Sequence, residues 1–210
     1  MSNDISLTKI YSMLDNGLNY QDIAEHFDCN KGTIFNMVKR DRAKKFMHPM
    51  KMAQKVLKTY NVDSPPIDIK AIAKAEGFKL YNQKLPQDVS GMIEKTKSQK
   101  NIYINSGHAP TRQRFSLAHE LGHHFLHTIN GEHKDNATLF RKENETTPEI
   151  DKEANRFASE LLMPDKLIRK EIALSGKEID EILIGELSST FEVSPIALTY
   201  RLQNLGFELL

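Results

Sequence analysis

Residues 119–123, His-Glu-Leu-Gly-His, constrain the fold more than any other stretch, because their chemistry is coherent only on a helix. Residues four apart lie about one turn from each other on a single helix face. The imidazoles of His119 and His123 can therefore converge on one divalent ion, with Glu120 flanking it. In an H-E-x-x-H arrangement the carboxylate does not bind the ion. It takes a proton from water at the metal, whose pKa the ion lowers to roughly 7. The surrounding residues agree: Phe115, Leu117, Ala118, Leu121, Gly122, Phe125 and Leu126 form a broad apolar stripe, and no proline falls between Pro110 and Pro148. A buried helix is predicted. His127 continues the series but sits about 12 Å along the axis from His119, so it cannot share their ion and is expected to pack or to support a ligand from outside. His108 and His133 have no partner in the pattern and read as surface residues.

A catalytic site of this type normally takes three protein ligands and keeps one position open. Candidates lie in residues 149–162, where Ile150, Ala154, Phe157, Ala158, Leu161 and Leu162 recur at helical spacing. At 100° per residue, Asp151 falls about 60° from the centre of that stripe and Glu153 about 100° away on the other flank. Asp151 is the better-placed third ligand and Glu153 the alternative, with Asn155 one turn on as a partner for a ligand. Glu149 and Glu160 are expected to point outward.

Two stretches in this order, Arg114-Phe115-Ser116-Leu117-Ala118-His119-Glu120-Leu121-Gly122-His123-His124-Phe125-Leu126-His127 and Glu153-Ala154-Asn155-Arg156-Phe157-Ala158-Ser159-Glu160-Leu161-Leu162-Met163-Pro164, resemble the ImmA/IrrE family of metallopeptidases. Shorter matches at Pro65-Pro66-Ile67-Asp68, Val89-Ser90-Gly91 and Val193-Ser194-Pro195-Ile196 extend the resemblance over most of residues 50–208. It implies an α+β chain with a mostly helical, zincin-like metallopeptidase domain, a small three-stranded sheet and a helical C-terminal extension. It also implies a metal-dependent endopeptidase that uses Zn2+, with Mn2+ or Fe2+ admitted by the same donors. The implied substrate is a helix-turn-helix repressor, whose cleavage would release mobile-element, prophage or stress-response genes. The family's third ligand is typically a Glu four residues before the Asn of the second stretch; Asp151 holds that position here, shorter by one methylene.

The N-terminal 45 residues carry a different pattern. Residues 5–16 and 20–27 read as helices, Asp28-Cys29-Asn30 as a turn and Lys31–Arg40 as a third helix, with Ile23, Ala24, Phe27, Ile34 and Met37 inward. This resembles a helix-turn-helix, in which Asn30, Lys31, Thr33, Asn36, Lys39 and Arg40 would face DNA. From Lys31 to Lys58 there are nine Lys or Arg against one acid, Asp41, a local excess of eight positive charges in a chain whose net charge is only +1. Such a run suits a polyanion.

With 39% hydrophobic residues over 210 positions, the chain can bury one sizeable core and carry a small module besides. The expected division is 1–45, a helix-turn-helix module; 46–165, the metallopeptidase domain; and 166–210, the helical extension. Short strands are expected at 78–81, 89–94 and 101–105, and Lys100–Asn105 is the candidate edge for an added substrate strand. No run approaches the length of a membrane span, no signal-peptide core is seen, and the single Cys29 cannot form an internal disulfide, so a cytoplasmic protein is expected. A homodimer is admitted. The contrasting reading is a DNA-binding transcriptional regulator that uses the peptidase fold as a non-proteolytic sensor or dimer platform.

Overall fold

The computed structural model describes residues 5–96, 98–127, 137–142 and 149–209, with the backbone alone described over 137–142. Two compact units divide the chain, Met1–His48 and Pro49–Leu210. His133 lies outside the described residues.

In the first unit, local capping sets the helix starts. Helix α1 (Leu7–Asp15) begins where the Ser6 hydroxyl accepts from the Lys9 amide, and α2 (Tyr20–His26) where Asn19 and Asp22 form a reciprocal capping box. The turn after α2 places Asp28 at φ 50°, a left-handed conformation that Asp tolerates better than most residues. Helix α3 (Lys31–Thr59) starts as the Asn30 side chain accepts from the Gly32 amide. Ile10, Ile23, Ala24, Phe27, Ile34 and Val38 are buried together. The helix does not end at Arg40. It runs on through the charged stretch and Pro49, because Arg, Ala and Lys in residues 42–45 favour helix and a proline removes a single ladder bond.

The second unit is α+β. Helix α4 (Ile69–Ala75) is capped by Asp68. Strands β1 (Lys79–Gln83), β2 (Val89–Lys95) and β3 (Lys100–Asn105) follow, then α5 (Pro110–His127). A further strand, β4 (Ala137–Lys142), precedes helices α6 (Glu149–Leu162), α7 (Asp165–Ser175), α8 (Glu181–Phe191) and α9 (Pro195–Asn204). The sheet order is β1-β3-β2-β4, with β1 parallel to β3 and the other pairs antiparallel. The three expected strands are adjacent in it, and β4 adds a fourth beside β2. Helix α5 packs on β2 and β3 and against α6, and its residues Leu117, Ala118 and Leu121 join Ile93, Ile102, Phe157 and Leu161 in the core.

Three expectations change here. Strand β3 is not an edge: it lies between β1 and β2, so both its backbone sides are paired, and Asn101 and Asn105 are buried along with Ile102 and Ile104. Asn105 is held there by donating to the carbonyls of Pro86 and Val89 while its Oδ1 accepts from Gly107. Glu160 does not point outward. It is 1% exposed, ion-paired with Arg201 of α9 and receiving a hydrogen bond from Gln54 of α3. On α9 the spacing would let Ile196 and Tyr200, and the pair Leu198 and Leu202, cover two neighbours; Leu198 and Leu202 are buried, whereas Ile196 and Tyr200 stand exposed.

Candidate metal centre

Helix α5 is buried from Ser116 to His123, since the sheet covers one side and α6 another. His119, Glu120 and His123 are at most 4% exposed. Polar groups buried this deeply demand partners, and α6 supplies them. The two candidate imidazoles, His119 and His123, approach Nε2 to Nε2 at 2.8 Å; Asp151 Oδ1 lies 3.1 Å from His123 Nε2 and 3.8 Å from His119 Nε2. Donors about 2.0–2.2 Å from a common tetrahedral ion stand roughly 3.3–3.5 Å apart, so the observed triangle brackets what such an ion requires. The donor set therefore fits a divalent cation.

The outer nitrogens strengthen that fit. His119 Nδ1 lies 2.9 Å from Asn155 Oδ1, an acceptor, so Nδ1 carries the proton and the Nε2 lone pair faces His123 and Asp151. Asp151 and Asn155 are one turn apart on α6, opposite His123 and His119, so the two helices run antiparallel across the site. Glu153 does not join the three donors. It faces His127, Nε2 to Oε2 3.3 Å.

Two glycines that the sequence pattern does not single out as site residues set this geometry. A Cβ on Gly122 would stand 3.0 Å from both the Ala154 Cα and its carbonyl oxygen. The close crossing of α5 and α6 needs a bare backbone there, and that crossing carries Asp151 to the histidines. On β2, a Cβ on Gly91 would stand 3.1 Å from Glu120 Oε1 and 3.3 Å from the Tyr103 carbonyl, so Gly91 leaves the space in which the Glu120 carboxylate sits. The signals are present as Gly in His-Glu-Leu-Gly-His and in Val-Ser-Gly, but only the tertiary approach gives them meaning. Gly122→Ala is expected to cost about 1–3 kcal/mol and to weaken divalent-ion uptake, because the atoms it strikes are helix backbone and must move together. Equilibrium unfolding and chelator competition measure both; wild-type values would show that the crossing does not hold Asp151 in place.

His124, next to His123 in the chain, belongs to another group. It pairs with Glu76 at 3.0 Å and meets Phe78 edge-on. Burial pushes its pKa below the usual imidazole range, despite the carboxylate. Burial also raises the pKa of Glu76, but hydrogen bonds from Tyr60 and His124 outweigh it and hold the carboxyl low, while Tyr60 is pushed up to about 12 by burial and by Glu76. Elsewhere in this unit Tyr103 gives its hydroxyl to Glu94, Tyr200 is exposed, and His127 bonds His123 and Glu153. The DNA-facing candidates Asn30, Lys31, Thr33, Asn36, Lys39 and Arg40 are all exposed in and just before the first turns of α3, in the first unit.

Comparison with known proteins places these features. The family model described as the IrrE N-terminal-like domain, a peptidase family, matches residues 73–203, which include α5 and α6. Metallopeptidase ImmA of Bacillus subtilis (strain 168) is 25% identical over 154 residues, 73% of this chain and 83% of that protein. The uncharacterized immunity region protein 2 of Bacillus phage phi105 is 30% identical over 116 residues, 55% of this chain and 68% of that protein.

Proposed function

The chain belongs to the IrrE N-terminal-like peptidase family, and from that premise we propose that it is a Zn2+-dependent endopeptidase that cuts a helix-turn-helix repressor and thereby releases mobile-element, prophage or stress-response genes. A metal-dependent peptidase acting on protein is what family membership establishes; the ion, the residue roles and the repressor belong to the proposal. The observation that carries it is the convergence of His119, His123 and Asp151, whose donor atoms lie within 4.8 Å of one another.

In this reading those three residues hold the ion, with zinc favoured and manganese or iron admitted by two imidazoles and a carboxylate. When bound, the ion supplies Lewis-acid polarisation of the scissile carbonyl and acidifies water at the site. Glu120 accepts the proton of the attacking water on its carboxylate and passes it to the departing amine. Asn155 keeps the His119 lone pair turned inward. A repressor substrate is supported by the names of the relatives, one a metallopeptidase and the other a protein of a phage immunity region. Such a substrate lies in the cytoplasm. Among the described residues no helix is long and apolar enough to cross a membrane.

The test compares new protein N-termini, by mass spectrometry, in cells expressing the wild type or the His119→Ala, His123→Ala double variant, with DNA damage or metal stress as trigger. One repressor cut only by the wild type is expected. Identical sets of N-termini under every trigger would favour the second reading, a non-proteolytic DNA-binding regulator working alone or as a homodimer.

That second reading draws on the exposed polar and basic face of α3, and DNA binding through residues 1–45 is compatible with both. Asn30, Lys31, Thr33 and Asn36 would read bases, while Lys39 and Arg40, with Arg42, Lys44 and Lys45, would contact phosphates. Five such contacts imply an affinity that falls roughly 500-fold between 50 and 200 mM salt. Fluorescence anisotropy with duplex DNA measures it, and an affinity indifferent to salt would remove DNA from the function.

A further inference from the structure

His123 has an outer nitrogen to satisfy, and α6 cannot reach it directly, because the α6 residue opposite is Asp151, already on the inner nitrogen. The contact runs instead along α5. His123 Nδ1 lies 2.9 Å from His127 Nδ1, and His127 Nε2 lies 3.3 Å from Glu153 Oε2. Both members of the chain are mostly buried, with side chains 17% and 22% exposed.

The direction of the chain follows from what each atom can do. A carboxylate only accepts, so His127 Nε2 carries a proton and donates to Glu153. In a neutral imidazole the other nitrogen then holds a lone pair, so His127 Nδ1 accepts and His123 Nδ1 donates. With a cation between them, His123 Nε2 presents its lone pair beside His119 Nε2 and Asp151 Oδ1, two acceptors that without the cation would compete for a proton on that nitrogen. His119 reaches the same state through Asn155. Two lone pairs are thus turned toward one point from opposite tethers, which is the arrangement a cation needs and which a wrong tautomer at either ring would spoil.

We propose that Glu153 and His127 are positioning residues that lock His123 in the Nδ1-protonated tautomer, presenting its Nε2 lone pair to the ion. The inference deepens the proposed metal centre and rests on it. It assigns Glu153 to the support of a ligand and, of the two roles the sequence leaves open for His127, selects support over packing.

Two readouts on the full chain test it. The first is the His123 Nδ1–H in Zn2+-loaded protein, from 1H–15N spectra that read its exchange and its coupling across the hydrogen bond. The wild type is expected to show a slowly exchanging Nδ1–H coupled to His127 Nδ1, His127→Asn, whose Oδ1 can accept where Nδ1 did, to keep the slow exchange, and His127→Phe to lose it. The second is Zn2+ affinity by competition with a chromophoric chelator, expected to fall about 10–100-fold in His127→Phe and to stay close to wild type in His127→Asn. A wild-type Nδ1–H that exchanges rapidly with no coupling to His127, or His127→Phe with wild-type Zn2+ affinity, would overturn the proposal. Should His127→Phe not fold, Glu153→Ala takes its place, with a weaker Zn2+ affinity expected and an unchanged one counting against the chain. A wild type that takes up no Zn2+ would bring down the metal centre and the proposal with it, whereas wild-type uptake in His127→Phe would bring down the proposal alone.

Discussion

Glu120→Gln is expected to lower cleavage of the proposed repressor substrate by about 10²–10⁴-fold, the range supplied by the general base that Glu120 is proposed to be, while leaving ion uptake near that of the wild type. Gln keeps the shape of the side chain, and the residue sits at 1% exposure beside a strand whose Gly91 leaves room for the carboxylate. The substitution removes the proton acceptor without moving α5. It also replaces a buried carboxyl by a neutral amide, so the metal-free protein should unfold at an unchanged or slightly higher temperature. Turnover of the purified repressor, chelator competition and thermal unfolding together separate loss of the base from loss of the fold. Turnover retained in Glu120→Gln would mean that the proton goes elsewhere.

Arg201→Met is expected to destabilise the Pro49–Leu210 unit by about 3–5 kcal/mol, because it leaves the Glu160 carboxylate buried without its ion pair. Arg201 is 6% and Glu160 1% exposed, and the guanidinium also donates to the Met163 carbonyl at the end of α6. One side chain thereby ties α9 to the helix that carries Asp151 and Asn155. Gln54 bonds the other Glu160 oxygen and cannot replace a charge. The double variant Arg201→Met, Glu160→Met should recover much of the loss, since a buried pair can often be exchanged for apolar groups at little cost. Urea unfolding of both variants measures the difference; a single-variant loss under about 1 kcal/mol would show that water reaches Glu160.

Much of the fold is legible in the order of the residues. The helix through His119 and His123, the amphipathic helix over 149–162, the strands at β1 to β3 and the capped helices of the first unit all follow from periods of 3.6 and 2 and from cap residues. These are properties of near neighbours in the chain, so consecutive residues carry them. The same locality hides the burial of Glu160: the pattern within α6 defines one apolar stripe, and nothing local shows that α3 and α9 cover the flank beside it. Strand β3 reads as an edge because its own residues cannot show that β1 returns parallel on one side while β2 takes the other.

On the helix α5 the four-residue spacing puts the imidazoles of His119 and His123 one turn apart on one face with Glu120 at its flank, and that much is written in five consecutive residues. Which acid on α6 meets them is a matter of how the helices cross. Asp151 and Glu153 lie about 200° apart around α6, and both flank its apolar stripe. The close approach at Gly122 and Ala154 turns Asp151 to the Nε2 atoms of His119 and His123 and Glu153 to His127. These contacts join residues far apart in the chain, so they depend on the packing of two helices, and no local period records that.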